Sequence, residues 1–152
     1  MTQGRVESIH IAPAAKAPMQ EIPEVLAIPG VGLDGDRYAR RQGTFFKPEP
    51  DFELTLIEAE AMEAASREYG LELAIGVSRR NLVTRGILLN DLVGKNFQIG
   101  SVQARGIRLC EPCSHLQALT GKPVIEALVH RGGLRAQILT EGVIRAGDVV
   151  SA

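Results

Sequence analysis

Both cysteines of the 152-residue chain lie within the stretch LCEPCSHL at residues 109–116. Cys110 and Cys113 are separated by two residues, and His115 follows closely. Three kinds of chemistry suit this pattern: a disulfide or redox pair, part of a metal site, or one reactive thiolate beside a quieter thiol. The rest of the chain has to discriminate among them.

Each alternative makes a different demand on the surrounding sequence. A disulfide oxidoreductase sets its Cys-x-x-Cys motif after a βαβ unit, and no such unit leads into this motif. A zinc site needs four ligands, so Cys110, Cys113 and His115 would have to recruit His10 or His130 from a distance. A single thiolate at Cys113 would gain from the first turn of a helix, where the dipole favours negative charge. Cys110 would then be a small buried core residue.

Arginines beside turn residues are the second feature that could do chemistry. Arg37 follows a glycine-rich loop, Arg79 and Arg80 precede a predicted strand, and Arg131 precedes two glycines. A guanidinium suits phosphate or carboxylate, and neighbouring glycines let a ligand approach the backbone. The set favours an anionic cofactor, although each arginine taken singly is more often a solvated surface charge.

The glycine-rich loop GVGLDG, residues 30–35, has the G-x-G-x-x-G spacing of a dinucleotide-binding turn. That mechanism requires an amphipathic helix directly after the last glycine, and the following DRYARR has no apolar stripe. We therefore reject a nicotinamide site and predict a glycine turn that ends a strand. Asp36 and Arg37 beside it could bind a polar ligand or pair with a neighbour at the surface.

Composition predicts an ordinary globular chain and excludes several classes. The sequence is 45% apolar and 23% charged, with a formal net charge of −1, so it carries no nucleic-acid signature. It has no apolar run of about 18 residues and no secretory signal order at its N-terminus. We expect a single domain over residues 1–152, cytoplasmic, with no membrane span, no nucleic-acid partner and no structural disulfide.

Short β-prone segments dominate the chain and are separated by turns that contain glycine. They cover residues 6–11, 25–28, 52–56, 81–84, 96–99, 102–109, 134–139 and 149–150. Regular βαβ alternation is absent. The pattern therefore predicts a mainly β (α+β) fold, a closed or nearly closed β-barrel of short strands decorated by a few helices.

Helical periodicity appears in three places. The most extended helix follows the strand at 52–56, ends at Gly70, and has one apolar face, formed by Ile57, Ala61, Ala65 and Tyr69. Two shorter helices are predicted, from about Cys113 to Leu119 and from Pro123 onward. Residues 40–51 lack periodicity and predict an exposed loop, which is a candidate lid.

Taken in order, these pieces resemble the MOSC domain, the C-terminal domain of molybdenum cofactor sulfurases. The resemblance rests on GLDGDR at 32–37, RRNL at 79–82, LVG at 92–94 with FQIG at 97–100, EPC at 111–113, RGG at 131–133 and GVIRAGD at 142–148. Each block alone is weak evidence. Their shared order is specific and spans nearly the whole chain.

The resemblance implies a barrel in which Cys113 ligates the molybdenum of a pterin cofactor (molybdopterin) or carries sulfur as a persulfide. Thiolate is a soft ligand that suits both partners. The resemblance also suggests which residues hold the polar groups of the cofactor: Asp36, Arg37, Arg80, Asn81, Arg131 and Gly132. The activities it implies are molybdenum-dependent reduction of N-hydroxylated compounds or sulfur transfer.

The resemblance further implies partners on separate chains. A cysteine desulfurase or an electron-transfer protein would be required, and pyridoxal phosphate would belong only to the partner desulfurase. Two alternatives stay open. The protein could be a non-catalytic carrier of sulfur or cofactor for a separate enzyme, or a thiol-redox or zinc-binding protein that uses Cys110 and Cys113.

Overall fold

The computed structural model of the chain describes residues 3–14, 17–37, 39, 52–69, 79–110 and 132–152. These ranges contain eleven strands, one α-helix and a short 3₁₀ helix at Leu89–Leu92. The elements are β1 Gln3–Ile11, β2 Gln20–Ile22, β3 Glu24–Ile28, β4 Gly32–Leu33, β5 Leu54–Glu58, α1 Ala59–Tyr69, β6 Leu82–Arg85, β7 Asn96–Ile99, β8 Val102–Leu109, β9 Leu134–Ile138, β10 Gly142–Arg145 and β11 Val149–Ser151.

Seven of these strands close into a barrel. Their order is β1-β11-β7-β8-β9-β5-β6, and β6 pairs with β1 to complete the circle. β2 is added to β1 as an eighth strand, while β10, β3 and β4 form a separate three-stranded sheet. The mainly β, barrel-like fold predicted from the sequence is therefore confirmed.

The interior of the barrel is aliphatic because alternate residues of the strands point inward. In β8, Val102 and Ala104 are buried while Gln103 and Arg105 are exposed, which is the period-2 pattern of a strand with one wet face. With no tryptophan in the chain, leucine, isoleucine and valine fill this space.

One row of the barrel core determines where the candidate site lies. The register pairs Ile9 with Leu82, Leu82 with Leu56, and Leu56 with Leu134, across β1, β6, β5 and β9. Leu134 in turn pairs with Leu109, the last residue of β8. The chain neighbours of this row are His10, Asn81, Gly133 and Cys110. The register therefore brings four distant segments of the sequence into one region.

β5 and β6 are connected through α1 and pair in parallel. Within the described ranges this is the one βαβ crossover, and the elements there do not otherwise alternate between strand and helix. Ala61 and Ala65 are buried as the helical periodicity predicts. Ile57 was predicted on the same helical face, which is wrong: it lies in β5, where it pairs with Val83. Because β5 is buried on both faces, its last residues resemble the start of an amphipathic helix.

Three glutamates of β5 and α1 hold the end of β6 and the loop that follows it. We call Glu58, Glu60 and Glu63 the carboxylate clasp. Glu58 Oε2 accepts the backbone N–H of Leu89 at 3.1 Å, and Glu60 Oε2 accepts that of Gly86 at 2.8 Å. Each carboxylate thereby satisfies a donor that the turn leaves without a strand partner.

Arg85 completes this arrangement at the end of β6. Its Nη2 donates to Glu63 Oε1 and its Nε donates to Glu7 Oε1 of β1, both at 2.6 Å. These two carboxylates raise the pKa of the guanidinium above its ordinary value. The crossover is thus tied both to α1 and to the neighbouring strand. Among the described helices, none is long and apolar enough to cross a membrane.

Candidate functional site

The glycine-rich loop begins with the predicted turn, which connects β3 to β4, while Gly32 lies in β4 and Gly35 follows that strand. Gly30, Gly32 and Gly35 have φ values of +76°, +127° and +87°, which favour glycine. The N–H of Val31 donates to the carbonyl of Ile28 to close the turn. Its second anchor is Glu53, whose Oε1 accepts the N–H of Gly30 at 3.1 Å.

Glu53 was not singled out from the sequence, although a carboxylate between apolar Phe52 and Leu54, directly before β5, is a recognisable signal. It is buried, and its Oε1 also accepts the N–H of Ile138 in β9 at 3.1 Å. Burial raises its pKa, and the two backbone donors oppose that shift. Glu53 therefore connects the glycine turn to the wall of the barrel.

Asp36 and Arg37, which follow this turn, form an ion pair in the interior of the protein rather than at its surface. Arg37 Nη1 lies 3.2 Å from Asp36 Oδ1, and both side chains are buried. The same Oδ1 accepts the N–H of Ala12, just after β1, at 3.0 Å. The pair therefore anchors the end of β1 to the glycine turn.

Among the residues that the structure describes, none donates a hydrogen bond to the second carboxylate oxygen of Asp36. Asp36 is 0% exposed, and its Oδ2 is a buried acceptor without a donor. Burying a carboxylate oxygen without a donor costs free energy, so such atoms are rare in folded proteins. Asp36 Oδ2 is an acceptor suited to an N–H or O–H group of a bound molecule.

Arg37 also extends toward Arg79 and the β1–β2 connection. Its Nη2 donates to the carbonyl of Arg79 at 3.3 Å, and its Nη1 contacts Met19 Sδ at 3.6 Å. Arg79 has a φ of +61°, the one left-handed non-glycine residue among those described, and its Nη1 donates to the carbonyl of Ala17 at 2.7 Å. A left-handed arginine costs about 1 kcal/mol, so these contacts hold a strained backbone in place.

Arg80 lies between the two chain ends that flank residues 111–131. Its Nε donates to the carbonyl of Gly132 at 2.8 Å, and its Nη2 donates to that of Cys110 at 3.1 Å. Its side chain is buried, at 8% exposure. The N–H of Cys110 donates directly to the carbonyl of Gly133 at 2.7 Å. Cys110 and Gly132, the described residues on either side of 111–131, therefore lie close together.

Gly133 makes this close approach possible. Its φ is +116°, and a Cβ at this position would overlap the carbonyl oxygen of Leu56. The position therefore requires glycine for two reasons, the backbone conformation and the space.

Asn81 joins three strands through its side chain. Its Oδ1 accepts hydrogen bonds from the N–H and the hydroxyl of Thr55, both at 3.1 Å, and its Nδ2 donates to the carbonyl of His10 at 3.1 Å. It is fully buried. In this structure Asn81 fixes the start of β6 against β1 and β5, directly beside Arg80.

His10 lies on the opposite side of Asn81 and is buried. Its Nε2 is 2.8 Å from Ser8 Oγ. Burial lowers its pKa, and the carboxylate of Glu21 opposes that shift. No cluster of three or more His, Cys, Asp or Glu side chains suited to a metal ion occurs within the described ranges.

The structure thus brings together five of the predicted site residues, which are Asp36, Arg37, Arg80, Asn81 and Gly132. Cys113, Arg131, His115 and His130 lie outside the described residues, as do the candidate lid at 40–51 and the two shorter predicted helices. Cys110 is a free thiol with 3% exposure, in agreement with its interpretation as a buried core residue.

The sequence profile of the MOSC domain matches residues 39–151, about three quarters of the chain, and the chain belongs to the MOSC domain family. This domain is associated in general with the molybdenum cofactor. No protein of curated function matches the chain in sequence.

Solved structures show the same fold. YuaD protein from Bacillus subtilis superposes with a TM-score of 0.79 at 16% identity, covering 99% of this chain and 97% of that protein. YiiM from Geobacillus stearothermophilus gives 0.76 at 16% identity, covering 97% and 74%. YiiM from Escherichia coli gives 0.68 at 18% identity, covering 97% and 68%.

Proposed function

We propose that this MOSC protein binds a molybdenum cofactor beside Asp36, Arg37 and Arg80, with Cys113 as the molybdenum ligand or as a sulfur carrier. One observation carries the proposal. A continuous set of contacts leads from the unpartnered oxygen of Asp36 through Arg37 and the Arg79–Arg80 backbone to Cys110. Cys110 is three residues from Cys113.

The chemistry of the described residues fits a pterin cofactor. Asp36 Oδ2 suits an N–H donor, and the amino group and ring of a pterin offer such donors. The guanidinium groups of Arg79 and Arg80 add positive charge beside the Asp36–Arg37 ion pair. This charge favours a phosphate nearby without requiring that Arg80 contact it. Arg131, in the RGG block, is a fourth candidate of the same type. When bound, the cofactor supplies a metal centre for two-electron redox chemistry.

Cys113 has two possible tasks at this site, and both use its thiolate. As a ligand, it would offer a soft sulfur donor that molybdenum accepts. As a carrier, its thiolate would attack the terminal sulfur of a persulfide on a separate cysteine desulfurase. A new S–S bond forms on Cys113, the donor S–S bond breaks, and the donor cysteine leaves as a thiolate, with no net oxidation. Pyridoxal phosphate would be needed only on that partner.

The burial of Cys110 supports one working thiol rather than a pair. A buried free cysteine behaves as a small apolar residue with little access to oxidants or metal ions. A thiol-redox or zinc function built on Cys110 and Cys113 together would need Cys110 to move toward solvent.

Metal analysis of protein purified from molybdate-fed cells tests the proposal, with Cys113→Ser as the probe and Cys110→Ser as the matched control. Stoichiometric molybdenum that Cys113→Ser loses and Cys110→Ser keeps would establish Cys113 as the ligand. Cyanide-labile sulfur on Cys113 without molybdenum would establish the carrier task. Zinc that both substitutions remove would refute the proposal and support the zinc alternative.

Asp36→Asn adds an independent probe of the same site. The amide keeps one acceptor oxygen and has the size of the carboxylate, but it is neutral and presents an N–H group in place of one oxygen. We expect Asp36→Asn to lower the molybdenum or pterin content while Cys113 alkylation continues. Unchanged cofactor content in this variant would exclude Asp36 as a ligand of the pterin.

A further inference from the structure

We propose that Arg80 is a positioning residue that does not itself bind the cofactor. It holds Cys110 and Gly132, the residues on either side of the Cys113 segment, which we define as residues 111–131. The inference rests on the proposed function only in giving Cys113 a task. The two hydrogen bonds of Arg80 to the carbonyls of Cys110 and Gly132 are seen directly in the structure.

The first argument is geometric. Two nitrogens of one planar guanidinium donate to two carbonyls, those of Cys110 and Gly132, which lie at opposite ends of the segment. Arginine can bridge two such acceptors because its donors diverge from a rigid fork, whereas lysine presents one compact ammonium. The bridge thus fixes both ends of the segment relative to the start of β6.

The second argument concerns burial. Arg80 is 8% exposed, so water cannot replace the two carbonyls if they are withdrawn. A buried cation loses much of its solvation, and each charge-assisted hydrogen bond restores part of it. Turning the guanidinium toward a cofactor phosphate would leave both carbonyls without this donor. The observed contacts therefore favour a fixed role for Arg80.

The third argument is that the neighbouring contacts are rigid. Gly133 lies so close to Leu56 that no side chain fits there, and its carbonyl accepts the N–H of Cys110. Asn81, adjacent to Arg80, is tied to Thr55 and His10. Arg80 therefore projects from a fixed backbone onto two fixed carbonyls, which is what positioning a distant thiol requires.

The test uses a single-thiol chain, Cys110→Ala, so that iodoacetamide reports on Cys113 alone. Arg80→Met and Arg80→Lys are placed in this background. Arg85→Met is the matched control, because Arg85 also makes two side-chain bonds, which go to Glu7 and Glu63 among the described residues. Two local readouts are measured under native conditions: the pH profile of Cys113 alkylation, and the rate of tryptic cleavage after Arg131, since Lys122 precedes a proline and is not cut.

We expect Arg80→Met to raise the rate of cleavage after Arg131 about tenfold or more, and to shift the alkylation profile of Cys113. Arg80→Lys should recover part of the protection but not all, and it keeps the test usable if Arg80→Met does not fold. Arg85→Met should leave both readouts unchanged.

Three outcomes are distinguishable. Loss of molybdenum in Arg80→Met with unchanged cleavage and alkylation would overturn the inference and make Arg80 a cofactor ligand. Equal cleavage in the Arg80 variants and their parent would also overturn it. Increased cleavage and altered alkylation in a protein that never binds molybdenum would support the positioning role while refuting the proposed function.

Discussion

Two places at the end of the barrel wall, the loop after β6 and the junction of Cys110 with Gly132, are held by charged side chains of opposite sign. The carboxylate clasp accepts hydrogen bonds from backbone N–H groups of the loop after β6. Arg80 donates to backbone carbonyls at the two ends of the Cys113 segment. In both places, a few side chains supply hydrogen-bond partners to backbone groups that are not paired with a neighbouring strand.

The two regions differ in their access to water. The side chain of Arg85 is 34% exposed, whereas Arg80 is 8% exposed and the Asp36–Arg37 pair is buried. Exposed ion pairs exchange with water and are screened by salt, so their net contribution is small. Buried polar groups have no such replacement, and breaking their contacts is expensive. Arg85 and Arg80 each make two of the hydrogen bonds described here, but breaking those of Arg80 should cost much more stability.

The largest expected loss of stability comes from adding one methyl group at Gly133, beside the carbonyl groups that Arg80 holds. Gly133→Ala would force a Cβ against the Leu56 carbonyl and place alanine at a φ of +116°, so we expect a loss of about 3 kcal/mol or more. Gly86→Ala is the control near the carboxylate clasp, because its φ is +87° but its Cβ meets only ordinary contacts. It should cost about 1 kcal/mol. Urea denaturation would measure both, and equal losses would contradict the comparison.

Removing one member of the buried ion pair should come next. Arg37→Met leaves the Asp36 carboxylate buried without its cation, and we expect a loss of about 3 kcal/mol. The double variant Asp36→Asn/Arg37→Met should be more stable than the sum of the single losses predicts, because it removes the uncompensated charge. Strict additivity in denaturant melts would show that the two side chains are not coupled.

The pH dependence of stability should differ in sign between the two regions. The pKa of His10 is lowered from 6.5, so its stabilising contribution is complete above pH 6.5 and is lost as the pH falls through the lowered pKa. The pKa of Glu58 is raised from 4.5 by burial, with Glu60 and Asp91 adding to the shift. Its contribution is complete below pH 4.5 and is lost as the pH rises through the raised pKa.

His10→Gln and Glu58→Gln separate these two contributions. Thermal melts across pH should show that His10→Gln flattens the acid side of the stability profile, while Glu58→Gln reduces the loss on the less acidic side. Glu53, whose pKa burial also raises, is unchanged in both variants. Identical profiles for the two variants would contradict the assignment.

The smallest effect is expected at the surface. Glu63→Gln weakens one of the two carboxylate contacts of Arg85, and the resulting drop in melting temperature should be slight and should disappear in 1 M NaCl. The drop caused by Arg37→Met should persist in the same salt, because that pair is buried. A salt-independent effect of Glu63→Gln would remove the distinction between the two regions.

Sequence patterns predicted the parts of the fold whose physics is local. The alternation in β8 and the apolar face of α1 are repeated signals, and both elements were found. β2, β4 and β10 were missed because they are two to four residues long and carry charged or glycine residues. Such strands form because a neighbour offers its free edge, as β1 does to β2, and no local pattern records that.

The candidate site was predictable in its residue types and not in its contacts. Asp36, Arg37 and Arg80 stand beside turn residues, which made them visible. Their partners are mostly backbone groups of residues 12, 79, 110 and 132, and a backbone carbonyl has no sequence signature. The left-handed Arg79 was equally hidden, since a positive φ is expected at glycine.

The hydrogen bond from Cys110 to Gly133 has an evolutionary consequence. A chain that exits and re-enters at one point can change length and composition between those points without moving any strand of the barrel. A change of length between Cys110 and Gly132 therefore need not alter the register of β8 with β9, provided that an arginine and a glycine remain at the junction. New reactivity can therefore arise between Cys110 and Gly132 while the strands of the barrel keep their register.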